Sequence, residues 1–112
     1  MTAFSALRAA ALVLALGAGT AAHASEWDWN HPRRAEVGAR LDRQQDRIVD
    51  GLRDGELSAG QAHRLHQEDT AIRLEERADA TIGGGAISWG EQRTLNAQEN
   101  AVSRQIHFER TY

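Results

Sequence analysis

Cysteine is absent from this chain, so no disulfide staples it and no lipid can be joined to a cysteine at a cleavage site. Lysine is absent as well. All 13 basic residues are arginines, set against 16 Asp and Glu, for a net charge of −3. An acidic chain of this kind is a poor match for nucleic acid or for an anionic membrane surface. Proline occurs once, at Pro32, a position that suits the first turn of a helix. Long apolar runs are missing: the stretch from Ala9 to Leu16 is too short to cross a bilayer as a helix. Large apolar side chains are few, and a domain this small has little margin over the entropy of ordering its backbone. A marginal monomer or an oligomer is expected.

What is present begins with a targeting signature. Arg8, the apolar stretch and Ala22-His23-Ala24 together have the build of a secretory signal peptide with an A-x-A cleavage site. Residues 1–24 are therefore expected to be removed, leaving a chain that starts at Ser25 and lies in the periplasm without membrane insertion. That chain holds 12 Arg against 16 acids, a charge of −4. Its domains read as an aromatic leader over 25–31 and a helical domain over 32–112. The leader carries Trp27 and Trp29, two of the three tryptophans. It reads as a frayed terminus or as an aromatic anchor for a partner.

The spacing of apolar residues predicts an all-α fold of three helices, about 32–54, 58–81 and 88–110, folded up-down-up. Val37, Leu41, Ile48 and Leu52 form the stripe of the first. Ala62, Leu65 and Ile72 form that of the second, and Leu95, Val102 and Ile106 that of the third. Two near-identical hinges separate them, Gly55-Glu56-Leu57-Ser58-Ala59-Gly60-Gln61 and Gly85-Ala86-Ile87-Ser88-Trp89-Gly90-Glu91. In each, Ser and the Gln or Glu three residues on spell a capping box. Trp89 is expected to shield the second hinge.

All three helices repeat one cassette: Leu41-x-x-Gln44-Gln45-x-x-Ile48, Leu65-x-x-Glu68-Asp69-x-x-Ile72 and Leu95-x-x-Gln98-Glu99-x-x-Val102. Each has apolar residues seven apart and a polar pair midway. The polar pairs occupy the place where a coiled-coil seam sets its second apolar residue. They either skirt the seam and stay solvated or form a buried polar layer that fixes register at a cost in stability.

Metal chemistry has two partial candidates. Counted as EF-hand loops, the first hinge offers Asp50, Asp54 and Gly55 but has Leu52 at position 3 and Gln61 at position 12. The second keeps Gly85, Ile87, Ser88 and Glu91 with no acid at positions 1, 3 or 5. Calcium binding should be weak or absent. The bland reading is that the shared string is a good helix–loop–helix hinge. An unbroken middle helix would also hold the two hinges at its opposite ends, too far apart for the usual paired loops. His63 and His66, near Glu68 and Asp69, set two imidazoles one turn apart, as zinc or copper would need. Two of four ligands favour solvated surface histidines instead. No nucleophile–base pair, phosphate loop or paired acid in a cleft is evident, so the chain reads as non-enzymatic and free of cofactors.

One wider pattern remains. His31-Pro32-Arg33-Arg34-x-x-Val37, Arg40-Leu41, Leu65-His66-x-Glu68-Asp69-x-x-Ile72-Arg73-x-Glu75-Glu76-Arg77, Gly84-Gly85, Glu91-Gln92, Leu95-Asn96-x-Gln98-Glu99-Asn100 and Ser103-Arg104-Gln105-Ile106 form a string over nearly all of 25–112. It resembles a group of small exported helical proteins of Gram-negative bacteria. The resemblance implies a helical, envelope-located protein and brings no activity with it. Members of that group often carry His then Thr after the Gly-Gly pair, where Ala86 and Ser88 stand here. That departure weakens any metal role for the second hinge. The function expected is a non-enzymatic interaction or scaffold protein that meets a protein partner or a second copy of itself. The alternative is a weak binder of calcium, zinc or copper through Asp50, Asp54 and Glu91, or through His63 and His66.

Overall fold

Helix begins earlier than the apolar spacing places it. In the computed structural model, which describes residues 25–112, the leader is a one-turn helix, α1 (Glu26–Asn30). The Ser25 hydroxyl accepts from the Asp28 amide and the Asp28 carboxylate accepts from the Ser25 amide, a third capping box. Among the described residues the expected three helices are therefore four, and the leader is not frayed. The expected signal peptide lies outside the described residues.

Three long helices follow: α2 (Pro32–Arg53), α3 (Ala59–Ile82) and α4 (Trp89–Thr111). Among the described residues there is no strand. Ser58 and Ser88 cap α3 and α4, answered by Gln61 and Glu91 as the spacing predicts. Satisfying two orphan amides in this way contributes ~1 kcal/mol per cap. Gly55 (φ 78°) makes the left-handed turn after α2, and Gly84 (φ 70°) and Gly85 (φ 102°) make the one after α3.

α3 is a single rod of 24 residues, about 36 Å at 1.5 Å per residue, in a molecule 42 Å long. The cross-links give the directions. Asp42 pairs with Arg73 and Gln45 with Asp69, so α3 runs against α2. Glu36 meets Gln92 and Arg47 meets Ser103, so α4 runs with α2. This is the up-down-up order.

The core follows from that geometry. Leu41, Leu95 and Ile72 lie at one level of the bundle, and Ile48, Val102 and Leu65 at another, with Ile106 a turn further along, all buried. Each contributes ~2 kcal/mol on burial. Leu57 and Ile87, the equivalent aliphatic residues of the two hinges, plug the two ends. At the Leu57 end the carbonyl of Gly51 accepts from both the Glu56 and Leu57 amides (2.9 and 3.0 Å), which draws the Leu57 side chain over the bare Cα of Gly51. Arg110 closes the same end from α4: it pairs with Glu56 and Asp54 and donates to the Arg47 carbonyl.

Candidate functional site

Between the two apolar levels lies a polar one. Gln44 and Gln45 of α2, Asp69 of α3 and Glu99 of α4 are all buried. Of the two placements open for the polar pairs, both members of the first pair and one member of each of the others go inside. Gln45, Asp69 and Glu99 are the same position of the repeated cassette. Antiparallel packing of the middle helix still brings them to one level, because that position is near the cassette's midpoint.

The hydrogen bonds there run in a short chain. His66 Nδ1 donates to Gln45 Oε1 (2.7 Å), and Gln45 Nε2 donates to Asp69 Oδ2 (2.9 Å). On the other side Gln44 Nε2 donates to the Glu99 carbonyl oxygen (2.6 Å). The Glu99 carboxyl is 0 % exposed, and neither of its oxygens receives a hydrogen bond from the protein. Arg40 is the nearest cation, with Nε 3.6 Å from Glu99 Oε1, but it also donates to Asn100 and faces Glu36. Asp69 Oδ1 is likewise without a donor, in a side chain 1 % exposed.

Low polarity disfavours a charged carboxylate, and the two acids show it. Burial pushes Asp69 up to about 7, against the opposing pull of the Gln45 hydrogen bond and of Arg73. Burial pushes Glu99 up to about 8, Arg40 opposing and Glu36 and Asp69 adding to it. His66 is lowered from its ordinary value, first by burial, then by His63 and Arg73.

The residues singled out for metal binding are dispersed. Asp50 is exposed on the last turns of α2, and Asp54 lies in the first hinge with Arg110 Nη2 3.5 Å away. Glu91 spends its carboxylate on the Ser88 cap at the far end of α3. His63 is exposed, whereas His66 turns inward to Gln45. Among the described residues no three His, Cys, Asp or Glu side chains are grouped as a metal ion requires.

A second feature is at the α3–α4 hinge end. Arg33 Nε donates to the Ile87 carbonyl (2.6 Å), which ties the start of α2 to that hinge and brings α1 beside it. A small cleft between Asn30, His31, Ala86 and Ile87 marks the same junction. All three tryptophans thus stand at one end of the bundle together with Ile82, at 44 % (Trp27), 78 % (Trp29), 65 % (Trp89) and 86 % (Ile82) exposure. Trp89 does not shield its hinge. As the first helical residue it points outward, with the Arg93 guanidinium 4.7 Å from its ring centre.

Trp27 is held rather than loose. Its ring stacks on His31 at 4.6 Å, and Arg34 lies over it at 5.1 Å. It walls an open groove of about 470 Å³ between α1, α2 and α3, lined also by Arg34, Gly38, Asp42, Arg73 and Arg77. Arg34 is paired with Glu76 and Arg73 with Asp42 (3.1 Å). Sequence spacing could not find this groove, because α1 was not legible as a helix. Nor could it place Arg110, or the bond from Arg40 to Asn100, whose partners lie more than fifty residues away.

No described helix is long and apolar enough to cross a membrane. No protein-family model matches the chain, and neither the curated proteins nor the solved structures give a match.

Proposed function

We propose that this chain is a small exported, non-enzymatic helical protein that binds a protein partner through the tryptophan-bearing end of its bundle. One observation carries the reading: all three tryptophans and Ile82 lie exposed together at the α3–α4 hinge end, while the apolar residues of the three long stripes are almost all inside. Tryptophan exposed in company is costly to leave in water and is the residue most enriched at binding hot spots. Rigid presentation lowers the entropy lost on binding, and Trp27 is fixed by His31 and Arg34. The resemblance to small exported proteins of Gram-negative bacteria and the signal-like residues 1–24 support an envelope location.

The test compares the chain with Trp29→Ala and Trp89→Ala variants, after their melting temperatures have been matched. In-cell photocrosslinking from position 29 in the periplasm should give a discrete adduct that the Trp89→Ala change weakens at least tenfold. An adduct of unchanged yield in that variant, or no adduct at all from this end of the bundle, removes the proposal. If the adduct is a second copy of the chain, light scattering should show the dimer and the same variants should abolish it.

A further inference from the structure

The polar level in the middle of the bundle is a device that the binding reading does not use. Its acceptors outnumber its donors. Gln44 Oε1, Asp69 Oδ1 and both Glu99 oxygens are buried with no protein donor, although unsatisfied acceptors at such depth are rare in folded proteins. A full negative charge on Glu99 would need several donors to replace its hydration, and the nearest cation, Arg40 at 3.6 Å, is shared with Asn100 and Glu36. A neutral carboxylic acid has no such need. Its O–H becomes a donor in a level otherwise short of donors.

We propose that Asp69 and Glu99 form a proton-operated latch: the bundle is closed with both carboxyls neutral, and loss of their protons weakens the seam that joins α2, α3 and α4.

The surroundings fit a latch rather than an inert core. Glu99 faces Glu36, Arg40 and Arg43 from α2 and Asp69 from α3. Asp69 faces Gln45 and Arg47 from α2, with Glu68 and Arg73 beside it on α3. Neither acid has a cation of its own: Arg40 is shared with Asn100 and Glu36, Arg73 is paired with Asp42, and Asp69 makes ionisation of Glu99 harder. The two raised values place the event near neutrality. The sign is fixed by linkage: the folded state holds these protons more tightly than the unfolded chain, so stability falls as pH rises. The loss runs from the ordinary carboxylate range up to about 7 for Asp69 and about 8 for Glu99, and levels off above. His66 acts in the opposite sense on the acid side. Its lowered value means that stability also falls as pH drops through the ordinary histidine range. The closed state is thus favoured in a window and released toward alkali.

Urea unfolding of the full chain between pH 6.5 and 8.5 tests the latch. The unfolding constant should rise on the order of 50- to 100-fold across that range, His66 opposing by no more than about twofold. Glu99→Gln, which keeps the shape and removes the charge, should cut the rise to about fourfold, and adding Asp69→Asn should flatten it. In parallel, the side-chain carboxyl carbon of Glu99 in the unaltered protein should titrate near neutrality or above in carbon NMR, a readout that does not depend on any variant folding. A flat unfolding constant, a Glu99 carbon that titrates in the ordinary carboxylate range, or a Glu99→Gln protein with the full rise would each overturn the proposal.

Discussion

Two glycines of α2 should answer the same substitution in opposite ways. Gly38 and Gly51 both lie inside the helix, and on helix propensity alone an alanine at either should add ~1 kcal/mol. At Gly38 a Cβ meets nothing within 4 Å, so Gly38→Ala should realise that gain and raise Tm by ~4–8 °C. At Gly51 the same atom would stand 2.7 Å from Leu57 Cδ1, 2.9 Å from its Cγ and 3.2 Å from Arg110 Cδ. Leu57 cannot swing aside cheaply. It is buried, and its amide is held by the Gly51 carbonyl at 3.0 Å. Overpacking of this kind costs ~1–3 kcal/mol, enough to overcome the propensity gain and leave a net loss of ~1 kcal/mol. Thermal melts followed by circular dichroism compare the two variants directly. The double variant Gly51→Ala, Leu57→Ala supplies the control: trimming Leu57 removes the overlap, so the two changes should add to less than their sum. If Gly51→Ala raises Tm as much as Gly38→Ala, the close packing of Leu57 on the α2 backbone is wrong, and with it the account of how the first hinge is sealed.

Ser58→Ala and Ser88→Ala should each lower stability by ~1 kcal/mol in urea unfolding, because each removes one half of a capping box; equal stability would mean the caps are ornamental. Gln44→Leu combined with Gln98→Leu should raise the melting temperature, since it replaces a buried amide that has an unpartnered oxygen, while a fall would show that the bond from Gln44 to the Glu99 carbonyl outweighs that penalty. Calorimetric titration with calcium, zinc and copper should give no heat beyond dilution, as Asp50 and Glu91 are separated by the length of α3; saturable heat with 1:1 stoichiometry would restore the cation-binding alternative. Trp29→Ala should leave Tm within about 1–2 °C of the parent, as its ring is mostly in solvent, and a larger drop would place that ring in the fold rather than on a contact surface.

The parts of this molecule that sequence reveals are those decided within a few residues. Ser58 with Gln61 and Ser88 with Glu91 mark their helix starts because a capping box is a local bargain between four residues. Leu41 and Ile48, Leu65 and Ile72 show their inner face through a 3.6-residue period, and all four are buried. Ser25 with Asp28 is the same kind of box, yet five residues offer no period to read beside it. The polar pairs sit at the edge of the stripe, where periodicity leaves burial undecided. A neighbouring helix settled it, and put Gln45, Asp69 and Glu99 inside while Glu68 and Gln98 stayed half-buried. Trp89 misled because its place next to a cap says nothing about the direction in which its ring points. The tryptophan end needed the fold: Trp27 and Trp89 are 62 residues apart in sequence and share one end of the bundle, where Arg33 reaches the Ile87 carbonyl.

The order of chemistry within the cassette, greasy then polar then greasy, reads almost the same backwards. A strand of text with that property can be turned round and still match its neighbours line by line, which is why the reversed middle helix sets Leu65 near Ile48 and Ile72 near Leu41 while like still meets like at the centre. Sliding α3 or α4 by half a heptad would drive a carboxylic acid into an oily tier, so this near-palindrome permits reversal and forbids that slippage. Copying a helix together with its hinge is then a workable route to a longer protein of the same design, with each added copy free to point either way.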